Sequence, residues 1–158
     1  MSETERRRLA IILGLLMPAG LLAAGASIAR PVGYWTCSGD RWIAVGAPGY
    51  AKPLKRCGST LPVPRNRPDC ESAGGRWGPA GLFPKPICRV PTHDGGRLCG
   101  DSGECESLCL SPLSPDQRDM LRQGHKLRLL GRCAPVVPLF GCLAIVKKGV
   151  VTGLECRD

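Results

Sequence analysis

Residues 99–109 read CGDSGECESLC and place three cysteines in a short, turn-rich stretch. Gly100-Asp101-Ser102-Gly103 has the residue types of a tight turn. Cysteines separated by five and then three residues, with turn chemistry between them, predict a compact knot held by disulfides.

The rest of the chain extends this pattern. Of its 158 residues ten are cysteines, and all of them follow residue 36. These are Cys37, Cys57, Cys70, Cys88, Cys99, Cys105, Cys109, Cys133, Cys142 and Cys156. Aromatic residues make up only 4 % of the chain, with 15 prolines and 21 glycines, so a thin core needs covalent support. We therefore expect a small disulfide-rich fold, mostly short β-strands and loops with one short α-helix at about residues 115–123.

That helix is predicted from its boundary signals. Ser114 can cap the N-terminus, Pro115 suits the first helical position, and Gln117 completes a capping box. Gly124 then provides a C-terminal stop.

Strands and linkers follow from local composition. Arg41–Val45 and Lys126–Leu129 have strand character, and Leu139–Val146 with Val150–Cys156 predict a C-terminal hairpin. Alternate prolines in Leu61–Pro68 predict an extended linker.

Two stretches, Cys37–Cys57 and Cys70–Cys88, share an order of residues that reads as a degenerate repeat. Each runs from a cysteine through Arg-Trp, a glycine four residues later and Lys-Pro to a second cysteine. If the repeat is real, each copy closes its own disulfide; chance similarity in a Gly/Pro-rich chain is the alternative. We expect the remaining six cysteines to pair among themselves, in an order left open.

The N-terminus predicts export. Arg6-Arg7-Arg8 precedes an uncharged stretch from Leu9 to Ala29, with small-residue cleavage sites after Ala26 and Ala29. An uncleaved membrane anchor is the alternative, because about 20 apolar residues span a bilayer. The predicted organisation is a signal peptide or anchor at 1–29, a cysteine-loop module at 30–92 and a second cysteine-rich module at 93–158.

The formal net charge of +9 bears on partners. An exported cation meets anionic envelope polymers or acidic proteins, although a soluble surface without a specific anionic partner explains the charge equally well. The scarcity of aromatic rings for base stacking argues against nucleic acid. Membrane contact is expected only through an uncleaved N-terminal segment.

Two motifs suggest catalysis but lack its context. Cys99 to Gly103 resembles the nucleophile loop of chymotrypsin-type serine proteases, yet the match ends at Ser102-Gly103 and no suitable histidine lies upstream. His93 and Asp94 are sequence neighbours in a turn, so one would not orient the other. We therefore expect no catalytic residue.

Metal and cofactor sites are not expected either. The chain contains no Cys-x2-Cys pair and only two histidines, so disulfides explain its cysteines better than zinc does. Trp42 and Trp77 are interpreted as plugs of their small loops rather than as a sugar-stacking pair.

The pattern from Cys70 to Asp158 is similar to small exported cysteine-rich proteins of Gram-negative bacteria. It includes Cys70-x3-Gly74-Gly75-Arg76-Trp77, Pro91-Thr92-x-Asp94-Gly95-Gly96, Gly131-x-Cys133 and Gly141-Cys142. The resemblance implies export and implies no activity.

The function predicted from the sequence is that of an exported, non-catalytic binding or structural module of the periplasm or cell envelope. One alternative is a disulfide-rich inhibitor that presents a bridged loop, such as Gly95 to Gly103, to an enzyme. A second is a small hydrolase that uses His93, Asp94 or Ser102.

Overall fold

The computed structural model describes residues 32–82 and 84–158. The predicted signal peptide or anchor at 1–29 lies outside this range. Within it, none of the helices has the length and apolar character needed to cross a bilayer.

The described residues fold into short strands and two short α-helices. In order they are β1 (Tyr34–Ser38), β2 (Arg41–Val45), α1 (Arg67–Ser72), β3 (Arg76–Gly78), β4 (Ile87–Pro91), β5 (Leu98–Cys99), β6 (Cys109–Leu110), α2 (Pro115–Arg122), β7 (Leu127–Arg128), β8 (Gly131–Cys133), β9 (Val136–Val137), β10 (Gly141–Leu143), β11 (Val150–Val151) and β12 (Glu155–Arg157). A single 3₁₀ turn spans Ser102–Glu104. The expected fold class, small and disulfide-rich with short strands, is confirmed.

Helix α2 forms where its boundary signals predict it. The Ser114 hydroxyl accepts from the backbone N–H of Gln117, and the Gln117 side chain accepts from the backbone N–H of Ser114. The helix ends at Arg122, and Gly124 adopts a positive φ of 85°. Leu121 is its buried residue and attaches the helix to the core.

Helix α1 was missed by the sequence analysis, which extended the linker to Pro68. The Asn66 side chain accepts from the backbone N–H of Asp69, and Pro68 lies in the first turn, where its missing N–H costs no helical hydrogen bond. A proline read as a helix breaker therefore begins a helix here.

All strand pairs are antiparallel and short. β1 pairs with β2, β4 lies between β3 and β9, and β8 lies between β5 and β6. The pairing of β4 with β9 joins residues on either side of the predicted module boundary at 92 in one sheet.

The two strands of the predicted C-terminal hairpin pair near the turn and at their far ends, but not between these points. β10 pairs with β12, which sets Cys142 opposite Cys156, and the turn at Lys148-Gly149 has positive φ at both residues. Between these ends, β11 pairs with β7 instead. Of the strand predicted at Lys126–Leu129, only Leu127–Arg128 forms a strand, β7, which pairs with β11.

Five disulfides use all ten cysteines, and none is free. Cys37–Cys57 and Cys70–Cys88 close their own loops, as predicted. The last six pair among themselves, also as predicted, as Cys99–Cys109, Cys105–Cys133 and Cys142–Cys156.

The two loops nevertheless fold differently. In the first loop, Cys37 lies on a strand opposite Trp42, whereas in the second Cys70 lies in a helix and Trp77 is opposite Cys88. The structure thus supports the two pairings without supporting a structural repeat.

Sulfur atoms form much of the core. The larger buried cluster combines two disulfides with aliphatic residues such as Leu121, Val146 and Val151. The smaller one is built on Cys70–Cys88 and Val90, with Trp77 packed against it as predicted. Val137 also packs on this smaller cluster, so the C-terminal half contributes to both.

Candidate binding groove and buried polar cluster

An open groove of about 620 Å³ lies between the β6–α2 segment and the C-terminal hairpin. Apolar side chains dominate its walls. They include Leu110, Pro112, Leu113, Leu143, Ala144 and Leu154. Leu154 is itself an exposed large hydrophobic residue. The groove therefore offers an apolar surface that a ligand could cover.

Local structure holds these walls in place. The backbone N–H of Ser111 donates to the carbonyl of Ala144, which ties the two sides of the floor together. Cys142 lines the groove and is bridged to Cys156, so the hairpin side is covalently closed. The capping box at Ser114 fixes the start of α2 and hence the position of Arg118 one turn later.

Two arginines give the groove a basic edge. Arg118 comes from α2 and Arg132 from β8, and both line it. Nη1 of Arg132 donates to the carbonyl of Gly96 at 2.7 Å, which restrains that side chain. Within the described residues neither arginine forms an ion pair. Their positive charges are available to an anionic ligand.

The groove has little to offer for catalysis. Among the described residues that line it, Ser111 alone carries a hydroxyl, which donates to the carbonyl of Leu130 at 3.3 Å. No histidine, carboxylate or aromatic ring is among the described residues that line it.

A second cluster, of buried polar groups, joins the N-terminal hairpin to the cysteine knot. Glu104 is only 3 % exposed, and one oxygen, Oε1, accepts three hydrogen bonds. The donors are the backbone N–H of Trp35 at 2.9 Å, the hydroxyl of Tyr50 at 2.9 Å and the backbone N–H of Gly100 at 3.2 Å. Burial raises the pKa of the Glu104 carboxyl, and the three donors only partly offset this effect. Burial and the Glu104 carboxylate raise the pKa of Tyr50.

Lys55 braces the same region. Its Nζ donates to the carbonyls of Ser59 at 2.9 Å and Cys105 at 2.8 Å. Burial lowers the pKa of Lys55, while the nearby carboxylates of Asp94 and Glu106 act in the opposite direction. The Lys55 ammonium group therefore connects two stretches of backbone by hydrogen bonds.

His93 and Asp94 do not form a pair, in agreement with the sequence analysis. Nδ1 of His93 lies 3.2 Å from both carboxylate oxygens of Glu106, and the His93 side chain is exposed. Asp94 is buried, and its Oδ2 accepts from the backbone N–H of Glu106 at 2.8 Å. Glu106 is therefore the partner of both residues.

The Ser102 hydroxyl is occupied by the backbone. It donates to the carbonyl of Val146 at 3.1 Å and accepts from the N–H of Cys109 at 3.1 Å. Neither bond involves a general base, so this serine helps to close the knot.

Three sulfurs, of Cys99, Cys105 and Cys133, lie within 4.8 Å of one another in the core. Each belongs to a disulfide, Cys99–Cys109 or Cys105–Cys133. A metal needs deprotonated thiols, and bridged sulfurs do not supply them. The proximity reflects packing of two disulfides.

The segment from Gly95 to Gly103, considered above as an inhibitor loop, is largely integrated into the fold. Cys99 and Gly100 are buried, and Leu98 and Cys99 pair with β8. A Cβ on Gly100 would lie 2.7 Å from the Tyr50 hydroxyl and 2.8 Å from the Gly33 carbonyl oxygen, so glycine is required for this close approach.

A different loop is presented to solvent. Leu54 is 80 % exposed, and the carbonyls on either side of it accept hydrogen bonds, Lys52 from Arg97 Nη2 and Lys55 from Trp42 Nε1. Pro53 is buried, and Cys37–Cys57 closes the loop. The structure thus holds an apolar side chain at the apex of a braced, basic loop.

Sequence reasoning missed Glu104, Arg118 and the groove. One signal in the sequence could have identified Glu104. It is adjacent to Cys105 in a knot that is expected to be buried, and a buried carboxylate needs several hydrogen-bond donors. Arg118 gave none, because it reads as one of many surface arginines.

Comparisons with protein-family models, with curated proteins and with solved structures found no match to this chain.

Proposed function

We propose that this chain is an exported, non-catalytic binding module of the periplasm or cell envelope. Its five disulfides support this proposal, because such a density is typical of oxidising compartments. The pattern of a positive N-terminus followed by an apolar stretch supports it as well.

The observation that carries the binding role is the apolar groove with Arg118 and Arg132 on its edge. We assign to it an acidic polypeptide segment with apolar side chains. Leucines and prolines in the walls favour apolar side chains. The two guanidiniums, which form no ion pair within the described residues, favour carboxylates. A glycan is less well matched, since the described lining residues include no aromatic ring on which a sugar could stack.

A peptide array of varied charge and hydropathy tests this assignment with the purified, oxidised full chain. We expect enrichment of peptides that combine Asp or Glu with Leu, Ile or Phe. Arg118→Glu with Arg132→Glu should abolish the enrichment. Arg56→Glu with Arg128→Glu is the matched control, because both arginines are exposed, form no ion pair within the described residues and lie outside the groove. It carries the same change of charge.

An equal loss of peptide enrichment in both double variants would show that net charge alone causes the binding. It would reject the groove as the binding site. Absence of any enrichment with the wild type would reject the peptide ligand.

Export is tested separately by intact mass after expression in a Gram-negative host. We expect a product that begins between residues 25 and 31, recovered from the envelope fraction, with a mass that shows no free thiols before reduction. A reduced, full-length product in the cytosol would contradict export.

A second candidate function, enzyme inhibition, is favoured by the Leu54 loop. Rigid loops bind active sites with little ordering cost, and Leu54 is presented by hydrogen bonds on both sides. We expect stoichiometric inhibition within a panel of serine proteases that prefer large apolar side chains. Leu54→Gly should abolish it, and Leu82→Gly, equally exposed at 83 %, should not. Full activity of every protease with excess wild type would reject this role.

A further inference from the structure

A small cavity lies beneath the Leu54 loop, between the N-terminal half and the cysteine knot. Its volume is about 10 Å³, and it is lined by residues 51, 53, 94, 97, 98, 104 and 133. A cavity of about 10–15 Å³ is the size that accommodates one water molecule.

Two charged side chains that line this cavity each carry an unsatisfied atom. Oδ1 of Asp94 and Nη1 of Arg97 are buried and form no hydrogen bond within the described residues. Asp94 is 5 % exposed as a whole. Buried polar atoms without partners destabilise the folded state, so a folded protein rarely leaves a buried acceptor and a buried donor on one cavity wall without partners.

Both side chains are already held by their other atoms. Oδ2 of Asp94 accepts from the Glu106 N–H at 2.8 Å, and Nη2 of Arg97 donates to the Lys52 carbonyl at 3.1 Å. The backbone N–H of Arg97 also donates to the Asp94 carbonyl at 3.1 Å, which sets the turn between them. These bonds restrain both side chains and leave Oδ1 of Asp94 and Nη1 of Arg97 as the atoms without partners.

We propose that the cavity is a binding site for a single structural water molecule that bridges Asp94 and Arg97. The water donates to Oδ1 of Asp94 and accepts from Nη1 of Arg97, and the Glu104 carboxylate in the same wall offers another acceptor. A cation is disfavoured by the guanidinium, and an anion by the two carboxylates. A neutral molecule that both donates and accepts fits both charges.

This water connects two contacts, one of which joins the two halves of the protein. Arg97 holds the Lys52 carbonyl, and Asp94 holds the start of the Glu106 segment, so a bridge between them ties the Leu54 loop to the cysteine knot. The inference is independent of the peptide proposed for the groove, because Asp94 and Arg97 do not line that groove.

A crystal structure of the full mature chain at a resolution that shows ordered water tests the site. We expect a well-ordered peak within hydrogen-bond distance of both Oδ1 of Asp94 and Nη1 of Arg97. A direct ion pair between these two side chains, with the cavity closed, would overturn the proposal.

Oxygen-17 magnetic relaxation dispersion provides the solution measurement. Arg97→Met keeps most of the side-chain length and removes the donor, so the number of long-lived internal waters should fall by one. Arg132→Met is the matched control, because Arg132 binds the carbonyl of Gly96 and lies outside this cavity. An unchanged number in Arg97→Met would overturn the proposal; if that variant does not fold, the wild-type crystal structure decides.

Discussion

At the scale of single residues, Glu104 is the joint between the N-terminal hairpin and the knot. Three donors from three separate stretches of chain converge on one of its oxygens. This buried acceptor fixes the relative positions of the three stretches, because each donor would lose its hydrogen bond if the carboxylate moved.

The raised pKa of Glu104 predicts a pH dependence of stability. From 4.5, the ordinary value, up to its raised value, the folded protein holds a proton that the unfolded chain has released. The free energy of unfolding should therefore fall as pH rises through this window and then level off. Urea unfolding across this range should show the decrease in the wild type and a flatter profile in Glu104→Gln.

Glu71→Gln is the control, since Glu71 lies on the surface beside Arg67. Identical pH profiles for the wild type and Glu104→Gln would show that another group is responsible.

Ser102 provides a second prediction at this scale. Its hydroxyl makes two hydrogen bonds to backbone groups, so Ser102→Ala should lower the free energy of unfolding by about 1–3 kcal/mol. Ser107→Ala serves as the comparison within the same knot. Chemical denaturation measures both; a hydrolytic activity lost in Ser102→Ala at unchanged stability would instead revive the hydrolase hypothesis.

At the scale of elements, helix α2 depends on its capping box and positions Arg118. Ser114→Ala removes one half of the box and should cost about 1 kcal/mol in the free energy of unfolding. Ser114→Asp, which can still cap, should restore most of this loss. Thermal or urea unfolding of the two variants checks the prediction, and equal losses would mean that the cap contributes little.

At the scale of the whole molecule, the five disulfides differ in access. Cys142 and Cys156 are exposed, and Cys37 is exposed beside a half-buried Cys57, whereas the other three disulfides are buried. Thiolate attack requires access to sulfur. Mild reduction without denaturant should therefore open Cys142–Cys156 and Cys37–Cys57 first, which alkylation and peptide mass mapping would show. Simultaneous opening of all five would indicate cooperative unfolding as the route of reduction.

Short-range features were readable without the structure because their causes are local. The cap at Ser114, the stop at Gly124 and the turn before Val150 each depend on neighbours within a few residues. Cys37–Cys57 and Cys70–Cys88 were readable for a related reason, since each closes a short loop between neighbouring cysteines. Helix α1 was missed although its signals are also local, since Asn66 caps it and Pro68 lies in its first turn.

The remaining features arise from contacts between residues far apart in the chain. Local composition does not relate Cys105 to its partner Cys133, or Glu104 to its donor Trp35. It also does not indicate that Arg118 and Arg132 line the same groove. Composition and spacing established a small disulfide-rich protein with a short capped helix. Packing within the C-terminal half created the groove, and packing of the two halves created the Glu104 cluster and the cavity beneath Leu54. Burial and charge proximity exist only after distant segments have come together.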